Sequence, residues 1–545
     1  MRHLGHALTI GVIITAIIIF NQSIELIAAT GTIKVAESHQ TMVGFGASIA
    51  WYEGTLTGHT YKNEIYDFIF DELGLDILRL RNTYRNGVLG SASSFAEIVN
   101  EFHNRSNGAP IVMISSWSPP QEIKSNNSVN GGGNATLKKD PDTNKYMYAE
   151  FARYWVNALN AYKAAGIEPD YISIQNEPSF DATWESCRLE PTETATIAGY
   201  NQALDSVYAA LQRADLHPKI IAAEAHGIGY NTFQNYANRF NHNTVDAYGY
   251  HLYHGASGSD PNRVNPDLFN ANLATIGNNY NEKPIFQTEY DQGDWFYTVW
   301  LIHNCLVRGN VSAYLWWELV WGTGSNPLII MDGNNFEITH YYWAFRQYSK
   351  YISADWVRVT AEVSSSNLKT SAFISPDNKN LTVVVINTGS EAEQLSFNFR
   401  NFEVTGGKVI RTSDLEEGET ISSNYDGSTA MNFPNRSITT LTFSGERTEL
   451  RVKELRQPER FFLSPNYPNP FNAMTTINYS LASENLVELK IFDVNGRELQ
   501  TLINQKLPAG NYVLEFDATQ LNSGIYFYQI KAGNFSQSRK MILLK

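Results

Sequence analysis

Short apolar runs rich in β-branched and aromatic residues recur eight times between residues 41 and 350, and this repetition constrains the fold more than any other feature. Successive runs begin roughly 25 to 60 residues apart, and amphipathic segments separate them. The runs read MVGFGASIAW, LDILRLR, PIVMISSW, DYISIQNEP, KIIAAEAH, VDAYGYHLY, PIFQTEY and SAYLWWEL. Eight alternating strand and helix units predict an α/β fold, a (β/α)8 TIM barrel over residues 42–350.

Polar and aromatic residues are concentrated where these predicted strands end. In a barrel of this kind the active site lies at the carboxyl ends of the strands. We therefore expect a functional cleft there, built from Trp117, Asn176, Glu177, Glu224, His251, Tyr253, Glu289, Trp316 and Trp317.

The segments that flank the barrel have a different pattern. Short alternating strands with Asn, Gly and Ser turns predict a side β-sandwich over residues 351–445, and residues 30–41 are expected to contribute one more strand to it. Residues 446–460 are charged and lack a strand pattern, which predicts a linker. Residues 461–545 form a further β-rich unit, with the Asn-Gly turn of a tight hairpin in LKIFDVNGREL.

Residues 1–29 have the three parts of a secretory signal peptide. A basic start at Arg2 precedes an apolar stretch over residues 7–20, and a polar break leads to Ala28 and Ala29, so we expect cleavage near residues 23–30. The apolar stretch is short for a membrane span, which needs about 20 residues. The mature protein is therefore expected to lack a span, with an uncleaved anchor as the alternative.

Charge and cysteine content exclude several classes of protein. The formal net charge is −14 and no cluster of Lys or Arg stands out, which argues against nucleic acid and anionic membranes as partners. The two cysteines, Cys187 and Cys305, exclude a disulfide scaffold and a cysteine-rich metal site. They are either two free thiols or one bridge.

Two glutamates at strand ends form the most informative pair. Glu177 follows the fourth run and Glu289 the seventh, and strands four and seven face each other across the mouth of an eight-stranded barrel. Hydrolysis of a glycosidic bond needs such a pair of carboxyl groups. The distance between them decides whether the anomeric configuration is retained or inverted. We expect Asn176 to bind a sugar hydroxyl. We expect the surface beneath the sugar rings to be formed by Trp117, Trp316 and Trp317.

Other chemistries find less support. Glu224 is read as a candidate structural ion-pair partner, and His251 and His254 lack a third zinc ligand at a suitable spacing. The sequence contains no GxSxG elbow, P-loop or GxGxxG fingerprint. We therefore expect neither a metal nor a cofactor.

The motifs VGFGAS, ILRLR, ISSWSPP, ISIQNEP, HLY, TEY and LWWEL, in this order, resemble glycoside hydrolase family 30 over residues 30–445. The resemblance implies a retaining enzyme with Glu177 as acid/base, Glu289 as nucleophile and Asn176 beside the acid. It also implies that Arg79, Trp117, Tyr253 and Trp317 line the glycone side. Trp51, His251, Trp184 and Trp316 complete the expected substrate-binding residues.

The barrel segments are most similar to the xylanase branch of that family, particularly SSWSPP and QNEP followed by the loop that carries Trp184. Glucuronoxylanases of this branch hold glucuronate with a basic residue just after strand eight. Here LWWELVWGTGSNPL, residues 315–328, contains no Arg or Lys. We therefore expect an endo-β-1,4-xylanase that does not depend on glucuronate.

Residues 461–545 resemble the C-terminal sorting domain of the type IX secretion system, on SPNYPNPFN, FDVNGREL, GIYFYQIKAGN and KMILLK. This implies secretion or attachment at the cell surface, with the secretion machinery and xylan as partners of an expected monomer. A carbohydrate-binding sandwich is the alternative for this unit. For the whole chain, the alternatives are a glucuronoxylan-specific xylanase, a β-1,6-glucanase or galactanase, and a non-catalytic carbohydrate-binding surface protein.

Overall fold

A computed structural model describes residues 28–106, 108–254, 263–448 and 460–545. The chain divides after Arg447 into two compact units. Almost all of the predicted signal peptide, and most of the predicted linker, lies outside the described residues. Within the described ranges, no helix has the length and apolar character that a bilayer span requires.

Eight parallel strands close into a barrel in the first unit, which confirms the predicted fold class. With strands numbered in chain order, the barrel consists of β2 (Gly44–Ile49), β3 (Ile77–Arg81), β6 (Ile111–Ser115), β7 (Tyr171–Ser173), β8 (Lys219–Ala225), β9 (Ala247–His251), β10 (Ile285–Glu289) and β11 (Ala313–Trp316). β11 pairs with β2 to close the barrel. An apolar layer fills the interior, formed by Ile77, Met113, Tyr171, Ile221, Ala247, Phe286, Ala313 and Leu315.

Helices surround the barrel and cover the outward side chains of its strands. They are α1 (Glu53–Gly58), α2 (Lys62–Tyr66), α3 (Ala92–Arg105), α4 (Tyr148–Ala164), α5 (Tyr200–Arg213), α6 (Thr232–Ala237), α7 (Asn270–Asn279), α8 (Trp295–Val307) and α9 (His340–Ser349). Short strands lie in the loops at β4 (Tyr84–Arg85), β5 (Val88–Leu89), β12 (Val320–Trp321), β13 (Ile329–Asp332) and β14 (Asn335–Ile338). Cys187 and Cys305 are both free and buried, so the two-thiol alternative holds.

The side β-sandwich combines both ends of the first unit. Its strands are β1 (Ala29–Thr41), β15 (Val357–Val363), β16 (Leu368–Ile374), β17 (Asn380–Asn387), β18 (Glu393–Arg400), β19 (Glu403–Ser413), β20 (Glu416–Ser422), β21 (Met431–Phe433) and β22 (Ser437–Glu446). β1 lies between β15, to which it is antiparallel, and β18, to which it is parallel. One face of this sheet packs on the barrel through Phe373, Val384, Ile386 and Ile438.

The second unit is all β and has a separate core. It consists of β23 (Phe462–Leu463), β24 (Met474–Leu481), β25 (Asn485–Phe492), β26 (Glu498–Leu507), β27 (Gly510–Asp517), β28 (Gly524–Ala532) and β29 (Phe535–Leu543). These strands form a three-stranded and a four-stranded sheet. Alternate residues such as Val487, Leu489 and Ile491 on β25 point into the core, as expected for strands with one buried face.

Candidate active site

Strand alternation brings polar side chains into the barrel mouth. Residues two apart on a strand share a face, so Arg79 lies above Ile77 on β3 and Ser115 above Met113 on β6. The Nε of Arg79 donates to the Oγ of Ser115 at 3.1 Å. The apolar interior layer therefore ends in a layer of charged and hydroxyl groups at the carboxyl ends of the strands.

Glu177 and Glu289 lie side by side in this layer. The backbone of Glu177 has a φ of 46°, a left-handed conformation that is uncommon for a residue other than glycine, and its N–H donates to the carbonyl of Glu224 at 3.0 Å. A carboxylate oxygen of Glu177, a carboxylate oxygen of Glu289 and a ring nitrogen of His251 all lie within 4.8 Å of one another. The two predicted carboxyls thus share one site.

Both carboxylate oxygens of Glu289 accept hydrogen bonds. The Nη1 of Arg79 donates to Oε2 at 2.8 Å, and the hydroxyl of Tyr253 donates to Oε1 at 3.0 Å. An ionised carboxylate, which only accepts hydrogen bonds, fits this arrangement.

Arg79 lies beneath the carboxyls and is fully buried. Its guanidinium is 2.9 Å from Oε1 of Glu224 and donates to the side-chain oxygen of Asn176 at 2.6 Å. It also lies over the ring of Trp117, 4.6 Å from the centroid. Although burial opposes ionisation of Glu224, the charge of Arg79 outweighs it and lowers the pKa of that carboxyl to about 2. The expected structural ion pair of Glu224 is confirmed.

Two histidines contact Glu177. His251 Nδ1 is 2.9 Å and His226 Nδ1 is 3.1 Å from the same oxygen, Oε1. Burial disfavours the charged form of His251, but the charge of Glu289 and the hydrogen bond to Glu177 outweigh it and raise its pKa to about 9. Burial lowers the pKa of His226 to about 4. At neutral pH, His251 is therefore cationic and His226 neutral.

The same cluster offers ligand-type atoms to a metal ion, because Glu177, His251 and Glu289 are close together. A metal would need a neutral His251, because only an uncharged imidazole offers a lone pair to the ion. Instead, His251 is cationic and uses Nδ1 to hydrogen-bond Glu177, and the guanidinium of Arg79 occupies one side of Glu289. The donor set suits carboxylate chemistry better than metal binding.

An open cleft of about 870 Å³ lies over the two carboxyls. Trp51 lines it, with its ring centroid 5.2 Å from that of Trp117 and 5.9 Å from that of Trp317. The aromatic residues that line it are Trp51, Tyr52, Trp117, Phe180, Trp184, Tyr253, Trp317 and Trp321. Flat apolar rings beside polar groups form a surface that suits sugar rings.

The structure corrects part of the expected binding set. Trp51, Trp117, Trp184, Tyr253 and Trp317 line the cleft as expected. Trp316 does not, because Leu315 occupies the interior face of β11 and alternation turns the next side chain outward. Trp316 is fully buried against Tyr341 and Phe345 in the outer core.

Three other residues of that set lie below the cleft surface. Arg79 and His251 are fully buried and Asn176 is 2% exposed, and the cleft lining does not include them. They contact the carboxyls or one another instead of an open space. Arg79 and His251 contact the glutamates, whereas Asn176 contacts Arg79. Direct binding of substrate by these three residues stays a prediction.

Sequence reasoning missed several cleft residues. Trp321 could have been predicted most easily, because it lies four residues after Trp317 in LWWELVW. His226 ends the run KIIAAEAH and Glu318 stands in LWWEL, but neither side chain was singled out, and Arg263 and Asp291 lie outside the quoted motifs. Tertiary packing alone brings them to the cleft.

Asp291 and Glu318 give the strand-seven and strand-eight side of the cleft an acidic character. Each is 5% exposed, and Oε2 of Glu318 has no hydrogen-bond partner among the described residues. Burial, and then the charge of Asp291, raises the pKa of Glu318 to about 8. Burial likewise raises the pKa of Asp291 to about 6. Arg263 is the one Lys or Arg among the described cleft residues, and it donates to Gln292.

Comparison with known proteins adds two family matches. A model described as the glycosyl hydrolase family 30 beta sandwich domain matches residues 357–441. A model described as the secretion system C-terminal sorting domain matches residues 466–544. The first match lies in the side sandwich and the second in the C-terminal unit.

Relatives that span the barrel agree with these matches. Glucuronoxylanase XynC of Bacillus subtilis is 24% identical over 437 residues, 76% of this chain and 92% of that protein. Xyn30A, a family 30 subfamily 8 xylanase of Clostridium acetobutylicum, is 26% identical with a TM-score of 0.61, covering 76% of this chain and 99% of that one. An endo-1,6-β-D-glucanase of Neurospora crassa is 32% identical over 147 residues, 27% of this chain and 28% of that protein.

Proposed function

We propose that this chain, a glycoside hydrolase of family 30 with a C-terminal secretion sorting domain, is a retaining endo-β-1,4-xylanase that cleaves xylan by double displacement. The sorting domain indicates type IX secretion, so the protein is secreted or attached to the cell surface. The observation that carries the mechanism is the short separation of the two carboxyls, whose nearest atoms lie within 4.8 Å. A gap of about 5 Å favours direct attack, whereas about 6.5 to 9.5 Å is needed to admit a water.

In the first step, Glu177 donates a proton to the glycosidic oxygen while Glu289 attacks the anomeric carbon and forms a glycosyl ester. In the second step, Glu177 takes a proton from water, which attacks the same carbon and releases Glu289. The charged groups around the two carboxyls support these roles. Arg79 pairs with Glu289 and Glu224, and His251 contacts Glu177.

The position of the hydrogen-bond donors supports Glu289 as the nucleophile. Tyr253 and Arg79 each hold one of its oxygens, which fixes the direction of the attacking lone pair. Arg79 also holds Asn176 through the side-chain oxygen, so the amide nitrogen is the group that we expect to reach a sugar hydroxyl if the side chain moves. Glu224 completes the set as a buried counter-charge.

Three observations support xylan as the substrate. The relatives matched over the barrel include glucuronoxylanase XynC and the xylanase Xyn30A, the cleft is open, and its walls are aromatic. Hydrophobic stacking on tryptophan suits an unbranched chain of sugar rings in many registers. An endo-acting enzyme needs this kind of extended cleft.

We further propose that hydrolysis does not depend on glucuronate. Residues 315–328 contain no Arg or Lys, and Asp291 and Glu318 line the same side of the cleft. A uronate bound there meets carboxyl groups in place of a cation. Asp291 is two residues from Glu289 in the chain, and we propose that this acidic pair borders the glycone sites.

Two other specificities have some support. Arg263 is a cation in the cleft, and one relative is named a glucuronoxylanase, which favours a uronate-binding enzyme. The local match to an endo-1,6-β-D-glucanase favours β-1,6-glucan. A non-catalytic carbohydrate-binding protein is disfavoured, because both carboxyls and their hydrogen-bond donors are in position.

Product analysis on linear xylan, glucuronoxylan and β-1,6-glucan tests the proposal. We expect the wild type to cleave linear xylan and glucuronoxylan with similar kcat/KM and to leave the glucan intact. Arg263→Gln is expected to change neither xylan activity. Cleavage only beside glucuronate, together with loss of that activity in Arg263→Gln, would establish the uronate-binding alternative instead.

A further inference from the structure

His226 is a cleft residue to which the mechanism above gives no role. It directly follows β8, its side chain is 13% exposed, and it lines the cleft next to Glu177. Its Nδ1 lies 3.1 Å from Oε1 of Glu177. Because burial keeps this imidazole neutral, it can donate here only as the tautomer with its proton on Nδ1.

Two imidazoles therefore converge on one oxygen of the acid. His251 Nδ1 approaches the same Oε1 at 2.9 Å from β9. The other oxygen, Oε2, has no hydrogen-bond partner among the described residues, and Glu177 lines the cleft. The carboxyl is thus held by one oxygen, and the other is left for the glycosidic bond.

The ring of His226 is itself held in place. Phe180 stacks on it, with centroids 4.3 Å apart and planes at 26°, and His254 packs edge-on at 4.6 Å. Tyr253 lies 5.2 Å away on a third side. The backbone N–H of His226 donates to Oγ of Ser179 at 3.3 Å. The loops after β7 and β8 therefore interlock around this imidazole.

The titratable groups that face His226 are few. Glu177, His251, His254 and Tyr253 contact it or lie beside it, and burial is the largest cause of its lowered pKa. Glu224 and Glu289 lie farther away, each 3.8 Å from Nε2 of His251. His226 therefore stays neutral while Glu177 changes its protonation state.

We propose that His226 is a positioning residue for the acid/base, which clamps Oε1 of Glu177 so that Oε2 carries the proton in both half-reactions. In the first, the proton leaves Oε2 for the glycosidic oxygen as the C–O bond breaks. In the second, Oε2 takes a proton from the attacking water, which restores the acid. The inference rests on the proposed role of Glu177 and adds the residue that aims it.

Leaving groups that differ in their need for a proton give the test. The kcat/KM of a retaining enzyme reports steps up to formation of the glycosyl ester. A phenyl xylobioside needs protonation of its leaving oxygen, whereas a dinitrophenyl xylobioside does not. A defect in aiming the acid slows only the first substrate.

The variants are His226→Phe, which keeps the flat ring and removes the donor, and His226→Asn, whose side-chain amide restores a donor near Nδ1. We expect His226→Phe to lower kcat/KM for xylan and the phenyl substrate by about tenfold or more, a fraction of the contribution of a general acid. The dinitrophenyl substrate is expected to be unaffected, and His226→Asn to recover most of the loss. Glu177→Gln serves as the benchmark and shows the same pattern with a larger effect.

If His226→Phe lowers kcat/KM equally for both aryl substrates, His226 has only a structural role. If kcat/KM is unchanged for both substrates, His226 has no role in catalysis. Either result overturns the proposal. If His226→Phe does not fold, His226→Ala is measured in its place with the same expected pattern. A wild type that is inactive on xylan and both xylobiosides refutes the proposed substrate instead. The leaving-group comparison is then made with aryl glycosides of the sugar that the polysaccharide panel identifies.

Discussion

At the residue scale, Arg79 is the charge that makes the carboxyl cluster possible. It is fully buried and lies within hydrogen-bond distance of Glu289, Glu224 and Asn176. Buried carboxylates are costly without a paired cation. Because its guanidinium never reaches the cleft surface, Arg79 acts through the residues that do.

Removal of this cation should destabilise the barrel. Arg79→Met leaves two buried carboxylates without their partner, so we expect a loss of about 3–5 kcal/mol in the free energy of unfolding. Denaturant titration of the barrel measures this loss. Arg105→Met, which removes ion pairs of a partly exposed arginine with Asp67, Asp71 and Glu101, is the control and should cost less than about 1 kcal/mol. Equal effects would contradict the account.

Glu318 makes alkaline pH unfavourable for the fold. Burial raises its folded pKa to about 8, so the folded state binds a proton that the unfolded state releases near pH 4.5. Stability from this group is complete below pH 4.5 and is lost as the pH rises through 8. Glu318→Gln should therefore gain about 1–3 kcal/mol over the wild type at about pH 9 and nothing under acidic conditions.

Melting temperatures across this pH range test the prediction. Glu168→Gln is the matched control, since that side chain is 70% exposed. A Glu318→Gln advantage that is the same at every pH would show that packing, and not titration, is responsible.

Some features of the site could be predicted from single residues of the sequence, and others could not. The proximity of Glu177 and Glu289 could be predicted because each glutamate stands at the end of a predicted barrel strand. Trp316 and Trp317 could not be told apart, because only the phase of β11 decides which of two adjacent rings faces the cleft. The full burial of Arg79 depends on the diameter of the barrel, and no local sequence pattern predicts that diameter.

At the element scale, a buried lysine joins the loops that follow strands β6 and β7. The Nζ of Lys124 donates to the carbonyls of Val129, Asn130 and Ser186. Asn130 and the neighbours Trp184 and Glu185 line the cleft on the side of the acid. Lys124 therefore orders one wall of the cleft by holding backbone groups.

Loss of this tether should affect long substrates most. Lys124→Met keeps the length of the side chain and removes its donors, so we expect the KM for xylan to rise about fivefold, equivalent to about 1 kcal/mol of binding. Hydrolysis of a short aryl xylobioside should remain near the wild-type level. Lys138→Met is the control, because its Nζ makes an exposed hydrogen bond to Asn127. A parallel fall in kcat for both substrates would point to a general folding defect.

Elements were predictable where repetition is regular. The eight barrel strands follow from alternation and spacing, and their order around the barrel follows from the chain. The hydrogen bonds of Lys124 were not predictable, because their acceptors are three backbone carbonyls from two loops. Every residue has a backbone carbonyl, so the sequence does not show which ones bind a side chain. The same holds for the ring contacts that fix His226.

At the scale of the whole molecule, the chain is a catalytic unit followed by a sorting unit. The unit that begins at Thr448 has its own core around Ile477, Leu489 and Tyr528. Family likeness gave this division from sequence, because the turn motifs of the sorting domain are specific. Exact boundaries remain predictions.

Truncation after Arg447 should separate export from hydrolysis. Because β1 and β22 both remain, the side sandwich stays complete, and we expect unchanged kcat/KM on xylo-oligosaccharides for the purified truncated protein. In the native host, the truncated protein should fail to reach the exterior. Activity loss in the purified protein, with its circular dichroism intact, would contradict the division of roles.

The anomeric configuration of the first product tests the central claim most directly. Proton NMR of linear xylo-oligosaccharides during the first minutes of hydrolysis distinguishes new β-anomers from α-anomers before mutarotation mixes them. Glu289 as nucleophile and Glu177 as acid/base, with oxygens within 4.8 Å, predict β-anomers first. The appearance of α-anomers first would contradict double displacement and with it the roles proposed for both carboxyls.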